Sequence, residues 1–294
     1  MPSRRAVLFY AGGSSLMAVV GGVALRATAE DARLSATPSP TPTPVPAVTD
    51  ASVVSGPLLG GASVVLSGSD LGKTVSVLFG GVPAESFSLV GESQISVVTP
   101  AAADYQPATV SITLAQSDGT TVDAAPQFTY EAVTGVDRQL QYAFTYWQNY
   151  NLDEWGRFPD NDCGNFVNQT LLARGWEQND DWYSDYATTG DYSYSWIRGN
   201  EMDDYLASRP DTTRLELSDR AKVKGGDVVM FDWDPQNGNG VDHTMLVSGV
   251  LTNADGSTSI KLVGHTVDAQ FRDLDEAITV SNPGGTAHFF SIAA

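Results

Sequence analysis

The stretch Asp160-Asn161-Asp162-Cys163-Gly164-Asn165-Phe166-Val167-Asn168-Gln169 holds the one cysteine of this 294-residue chain. Phe166, Val167, Thr170 and Leu171 recur at the spacing of the apolar side of an amphipathic helix. Asp162 reads as its N-cap, because an aspartate side chain accepts from the unpartnered N–H groups of a first turn. A thiol in that turn feels the positive end of the helix dipole, which is expected to lower its pKa and favour the reactive thiolate. Whether the cysteine is used depends on what base the rest of the chain supplies.

Composition narrows the field. Thirty-five acidic against 16 basic residues give a net charge of −19, which argues against nucleic acid or an anionic membrane as partner, since both reward clustered Lys and Arg. Apolar residues make up 42%, enough for real cores. A lone cysteine forbids an intrachain disulfide, so in an oxidising compartment it is either buried and inert or put to use.

Residues 1–29 read as an export signal: Arg4 and Arg5 form a basic start, Ala6 to Leu25 is apolar and small, and Ala27-Thr28-Ala29 is an A-x-A cleavage site. Ser3-Arg4-Arg5-Ala6-Val7-Leu8 also resembles a twin-arginine signal. Left uncleaved, the segment is nearly long enough to anchor the chain in a membrane. The expected location is secreted or cell-surface. Residues 30–50 form a Pro/Thr-rich linker, with Pro38, Pro40, Pro42, Pro44 and Pro46 favouring extended chain.

Residues 51–132 change to short alternating runs at Ser63 to Ser67, Val75 to Phe79, Gln94 to Val98, Thr109 to Leu114 and Gln127 to Tyr130. Gly60-Gly61, Gly80-Gly81 and Asp118-Gly119 separate them, and the spacing predicts a small all-β sandwich. Gly56-Pro57, Gly60-Gly61, Val64-Val65-Leu66-Ser67-Gly68, Val77-Leu78-Phe79-Gly80-Gly81, Thr99-Pro100 and Phe128-Thr129-Tyr130 resemble the IPT/TIG family of immunoglobulin-like domains. That resemblance implies a spacer or a binding module.

From Asp137 the period becomes helical, with Leu140, Ala143, Phe144, Trp147 and Tyr150 on one face. Trp176, Trp182, Tyr186 and Trp196 fall in an irregular aromatic segment that either lines a substrate cleft or packs over the core. A short helix is expected from Glu201 to Ser208. The last third reads as strands, including Val228 to Phe231, Asp242 to Val247, Ser259 to Val263 and Ala287 to Ile292. Helices followed by an antiparallel sheet make an α+β domain over residues 133–294.

Three histidines exist, and two suit the cysteine. A nucleophilic thiol needs a base, and the base needs a group that orients its ring. His243 opens one expected strand and His265 ends the next. If those strands form a hairpin, the two rings are neighbours and Cys163, His243 and His265 make a triad. Asp268 competes for the third place. His288 reads as a half-buried strand residue. The scattered histidines make a weak zinc case, and Asp232 to Gly240 does not match an EF-hand loop, so neither metal nor other cofactor is expected.

Tyr142-Ala143-x-x-Tyr146-Trp147, Asp162-Cys163-Gly164-Asn165-Phe166-Val167-Asn168-Gln169, Gly175-Trp176, Gly226-Asp227-Val228-Val229, Asp242-His243 and Gly264-His265-Thr266 resemble, in order, the putative amidase domain family. That family is related to NlpC/P60 and CHAP domains within the papain-like fold. The resemblance implies a cysteine amidase or peptidase with Cys163 as nucleophile and His243 as base. Papain-like enzymes place a glutamine before the cysteine as oxyanion donor; Arg157 stands there instead, leaving Asn161 or the Asp162 backbone as candidates. Export and amide chemistry together point to peptidoglycan or peptide substrates. The alternative is a noncatalytic surface binding protein with a degenerate papain-like domain.

Overall fold

The computed structural model describes residues 45–159 and 161–293, so the export signal and most of the linker lie outside it. The first strand, Ala47–Ala51, already begins inside the stretch read as linker and pairs with Ser63–Ser69. Alternation then builds two sheets. One has the order Ala47–Ala51, Ser63–Ser69, Gln94–Val98, Ser86–Leu89; the other runs Ser55–Pro57, Thr121–Glu131, Ala108–Gln116, Thr74–Phe79, Val82–Pro83. Every second residue points inward, so Val64, Leu66, Val77, Phe79, Ile95, Val97, Ile112, Leu114, Phe128 and Tyr130 share one core.

The mixed helix and sheet domain starts at a capping box. Thr134 Oγ1 accepts from the Asp137 N–H and Asp137 Oδ2 accepts from the Thr134 N–H, opening the helix Gly135–Tyr146. Asp137 Oδ1 also accepts from the Leu59 N–H at 2.9 Å, which ties the sandwich to this helix. Tyr105 adds a second tie: its ring lies 4.8 Å from Phe144, and its hydroxyl donates to the Ser248 carbonyl. The described residues all fall in one compact unit.

Six antiparallel strands follow in the order Thr212–Glu216, Thr286–Ile292, Val228–Asp232, His243–Thr252, Thr258–Gly264, Ala269–Asp273. The two edge strands, Thr212–Glu216 and Ala269–Asp273, are not among the expected ones. Val228, Met230, Leu246, Val263 and Phe290 face the helices, while Val229, Phe231, Met245, Val247 and Leu262 pack on Leu274 and Ile278. Both faces are covered, which is why Val228-Val229-Met230-Phe231 is apolar without alternation.

The helix Asp162–Arg174 departs from the expected amphipathic pattern. Every residue from Asp162 to Leu171 is buried. Its polar positions are satisfied inside the protein, so a polar face here does not mean a wet face. Gly175, at φ 116°, closes the helix by donating to the Leu171 and Leu172 carbonyls. Among the described residues no helix is long and apolar enough to cross a membrane.

Candidate active site

Cys163 lies in the first turn of Asp162–Arg174 and is 6% exposed. The Thr244 and Gly164 backbone N–H groups and the Thr266 hydroxyl reach the thiol and favour its ionised form. Burial outweighs them and pushes the Cys163 thiol up from its ordinary value, which corrects the expectation of a dipole-lowered pKa. Gly164 is required by close approach: a Cβ there would meet the Trp196 carbonyl oxygen at 2.9 Å. Thr266, a β-branched residue at φ 76°, holds a strained backbone beside the thiol.

Asp162 is not the N-cap. Asn161 occupies that position, and its side chain makes no capping hydrogen bond. Asp162 is the first helical residue, turned inward: Oδ1 accepts from the Phe158 N–H at 2.8 Å and from Asn165 Nδ2 at 3.0 Å. Oδ2 lies 2.6 Å from His265 Nδ1, and His265 Nε2 donates to the Tyr146 carbonyl at 2.9 Å. Tyr150 and Phe166 stack on the two sides of the His265 ring, at 3.8 and 4.0 Å.

His265 therefore does not orient His243. The expected hairpin forms, with Leu246 opposite Val263, and continuing that register sets Thr244 rather than His243 opposite His265. A one-residue offset places a side chain on the other face of a sheet. Asp268 fails as substitute: it is exposed and accepts from the Tyr150 hydroxyl at 2.6 Å.

His243 opens its strand with its ring against the stacked pair Phe231 and Trp233, at 6.0 and 5.7 Å. Its Nε2 is buried with no hydrogen-bond partner among the described residues. Burial, helped by the Arg272 charge and opposed by Asp242, lowers its pKa to about 4, so the ring is neutral near pH 7. Cys163 and His243 border one cavity of about 280 Å³, which Asn161 also lines. Near pH 7 the cavity is thus bordered by a neutral thiol and a neutral imidazole.

Two of the cleft candidates are core, and the other two pack against it half-buried. Trp182 and Trp196 are fully buried, and their indole N–H groups donate to Asn168 Oδ1 and Asn165 Oδ1, each at 2.8 Å. Trp176 lies under the Arg209 guanidinium, 3.7 Å away, and Tyr186 packs 4.2 Å from Phe158. Asn165 and Asn168 of the cysteine stretch thus receive tryptophans, and none of the four aromatics lines the Cys163 cavity.

A family model described as "Putative amidase domain" matches residues 132–290, more than half of the chain and all of the site just described. The chain belongs to this amidase family. A second model, the IPT/TIG domain, matches residues 46–130, so the β-sandwich precedes the amidase domain. A search of the curated proteins finds no match.

Solved structures show local likenesses. The Plexin A4 extracellular region is 25% identical with a TM-score of 0.27, over 30% of this chain and 7% of that one. An auxiliary nutrient binding protein from Bacteroides ovatus is 22% identical with a TM-score of 0.25, over 31% and 22%. SGBP-B of Bacteroides uniformis is 18% identical with a TM-score of 0.24, over 29% and 23%. This chain covers less than a quarter of each of those chains.

Beside the amidase site, the carboxylates of Asp232, Asp234 and Asp242 converge within 4.8 Å. Each accepts a hydrogen bond within its own loop, from the Asp234 N–H, from Asn237 and from the Trp233 N–H respectively, so the cluster closes a turn. The sequence reading missed three residues of the site: Asp162 as partner of His265, and Thr244 and Thr266 as donors to the thiol. Asp162 stands next to the cysteine and Thr266 next to His265, but only the fold shows what each side chain meets.

Proposed function

We propose that the protein is an exported cysteine amidase or peptidase with a papain-like site, hydrolysing amide bonds of cell-wall peptidoglycan through a thioester on Cys163. The observation that carries this reading is the shared cavity of Cys163 and His243, with a histidine nitrogen left unpartnered inside the protein. A buried polar atom without a partner costs about 1–3 kcal/mol, and such atoms concentrate where chemistry needs them. Membership of the amidase family supports the same reaction class.

The steps follow from the protonation states. His243 is neutral near pH 7 and takes the thiol proton as Cys163 attacks the amide carbonyl. Because burial disfavours the separate thiolate, proton transfer accompanies attack instead of preceding it. The Asn161 side chain, at the cavity wall, is the candidate second donor to the oxyanion. His243, now protonated, gives its proton to the leaving amine, and water cleaves the thioester. The export signal would carry this chemistry to the cell wall as a secreted or surface protein.

The test is mass analysis of products from purified peptidoglycan incubated with the full chain and with Cys163→Ala. A new amine and carboxyl pair that depends on Cys163 names the bond. Identical digests from both proteins would remove the cysteine from the reaction.

A further inference from the structure

We infer that Arg198 is the specificity-determining residue of the Cys163 cavity, pairing with a free carboxylate that the substrate carries beside the scissile amide. This rests on the proposed thiol chemistry. Arg198 lines the cavity together with Cys163 and His243, and among the described residues lining it Arg198 is the one cation. Its surroundings suit an exchangeable anion site. The guanidinium lies 3.6 Å over the Tyr194 ring, which holds its plane by cation–π contact. Its one carboxylate partner, Glu201 at 3.3 Å, is half exposed like Arg198 itself, and an exposed pair of this kind is weak in water. A substrate carboxylate can replace it with two parallel N–H···O bonds.

The position of the residue points the same way. Arg198 stands at the N-cap of the helix Gly199–Ser208 with no side-chain capping bond. It is also the C-cap of the short helix Tyr194–Ile197, an end where a cation is favoured, so the junction of the two helices holds the guanidinium at the cavity wall. A carboxylate docked on Arg198 would also meet the positive end of that helix, whose residues Gly199 and Asn200 line the cavity. In a chain of net charge −19 an anionic group approaching Cys163 is repelled unless a fixed cation receives it. Glu201 and Asp242 at the same wall disfavour a dianion, which selects a carboxylate over a phosphate.

The test compares alkylation of Cys163 in the full chain by iodoacetate, which carries the carboxylate, and by neutral iodoacetamide. Iodoacetate should saturate, and Arg198→Gln should lower the iodoacetate-to-iodoacetamide rate ratio at least tenfold while iodoacetamide alone changes less than twofold. Arg198→Lys should recover part of the ratio, and Glu201→Gln should raise the iodoacetate rate. The same ratio in wild type and Arg198→Gln overturns the inference. If neither reagent modifies Cys163, the thiol reading itself fails. Arg198 is then decided by titrating Cys163→Ala with acetate and following the Arg198 Nε–H signal by NMR. A saturating shift supports the carboxylate site, and no shift overturns it.

Discussion

His265 Nδ1 lies 2.6 Å from Asp162 Oδ2, and both side chains are almost fully buried. The other ring nitrogen donates to the Tyr146 carbonyl, so the imidazole is held at both nitrogens. This pair pins the residue immediately before Cys163 to the end of the neighbouring strand. It positions Cys163 without lining the cavity.

Removing one partner should be costly. Asp162→Ala or His265→Ala is expected to destabilise by roughly 3–5 kcal/mol, since each leaves a buried polar or charged group unpaired. The double variant should lose much less than the sum of the two singles. Urea unfolding of the four proteins measures both; strict additivity would mean that the pair does not act as a unit.

The thiol should titrate late. Burial raises the Cys163 pKa, so the rate of modification by iodoacetamide is expected to keep rising beyond pH 9. A plateau reached below pH 8 would show a thiolate that the fold stabilises. Stability has a matching sign: once pH passes the ordinary thiol value, only the unfolded chain ionises readily, and the folded state loses ground.

His243 gives an acid-side signature. Its folded pKa is about 4 against 6.5 in the unfolded chain, so between those values the unfolded state binds more protons. Stability from this residue is complete above pH 6.5 and falls as pH drops toward 4. His243→Gln should flatten the Tm-versus-pH curve in that window while abolishing hydrolysis. An unchanged slope would contradict the buried neutral ring.

The sandwich should matter for the amidase domain. Tyr105, from the sandwich, donates to the Ser248 carbonyl at a bulge between Val247 and Gly249, where the hairpin register shifts. Tyr105→Phe leaves that buried carbonyl without its donor and is expected to cost about 1–3 kcal/mol. The two parts should still unfold in one transition by calorimetry; two separate transitions would show them energetically independent.

The asparagines of the cysteine helix offer a further check. Asn168→Ala removes the acceptor of the buried Trp182 indole and a donor to the Trp196 carbonyl. A loss of roughly 1–3 kcal/mol is expected. Trp182 and Trp196 fluorescence in the parent should not respond to cavity ligands, because both rings are core.

Local pattern alone determined a great deal. Alternating runs such as Val64/Leu66 and Ile95/Val97 can bury one face only as strands, so the sandwich was legible. The apolar run at Val228 and the period from Leu140 to Phe144 likewise place the sheet and first helix, because side-chain periodicity is a property of the backbone itself. Cys163 and His243 stood out as chemistry-bearing residues beside strong element starts. What only the tertiary structure decided is which groups meet. The hairpin register, a matter of one residue, sent His265 to Asp162 instead of His243. Burial from all sides reversed the sign of the thiol shift that the helix end alone would produce. The same burial made core of Trp182 and Trp196, since exposure depends on what packs over a segment and leaves no mark on the segment's own spacing.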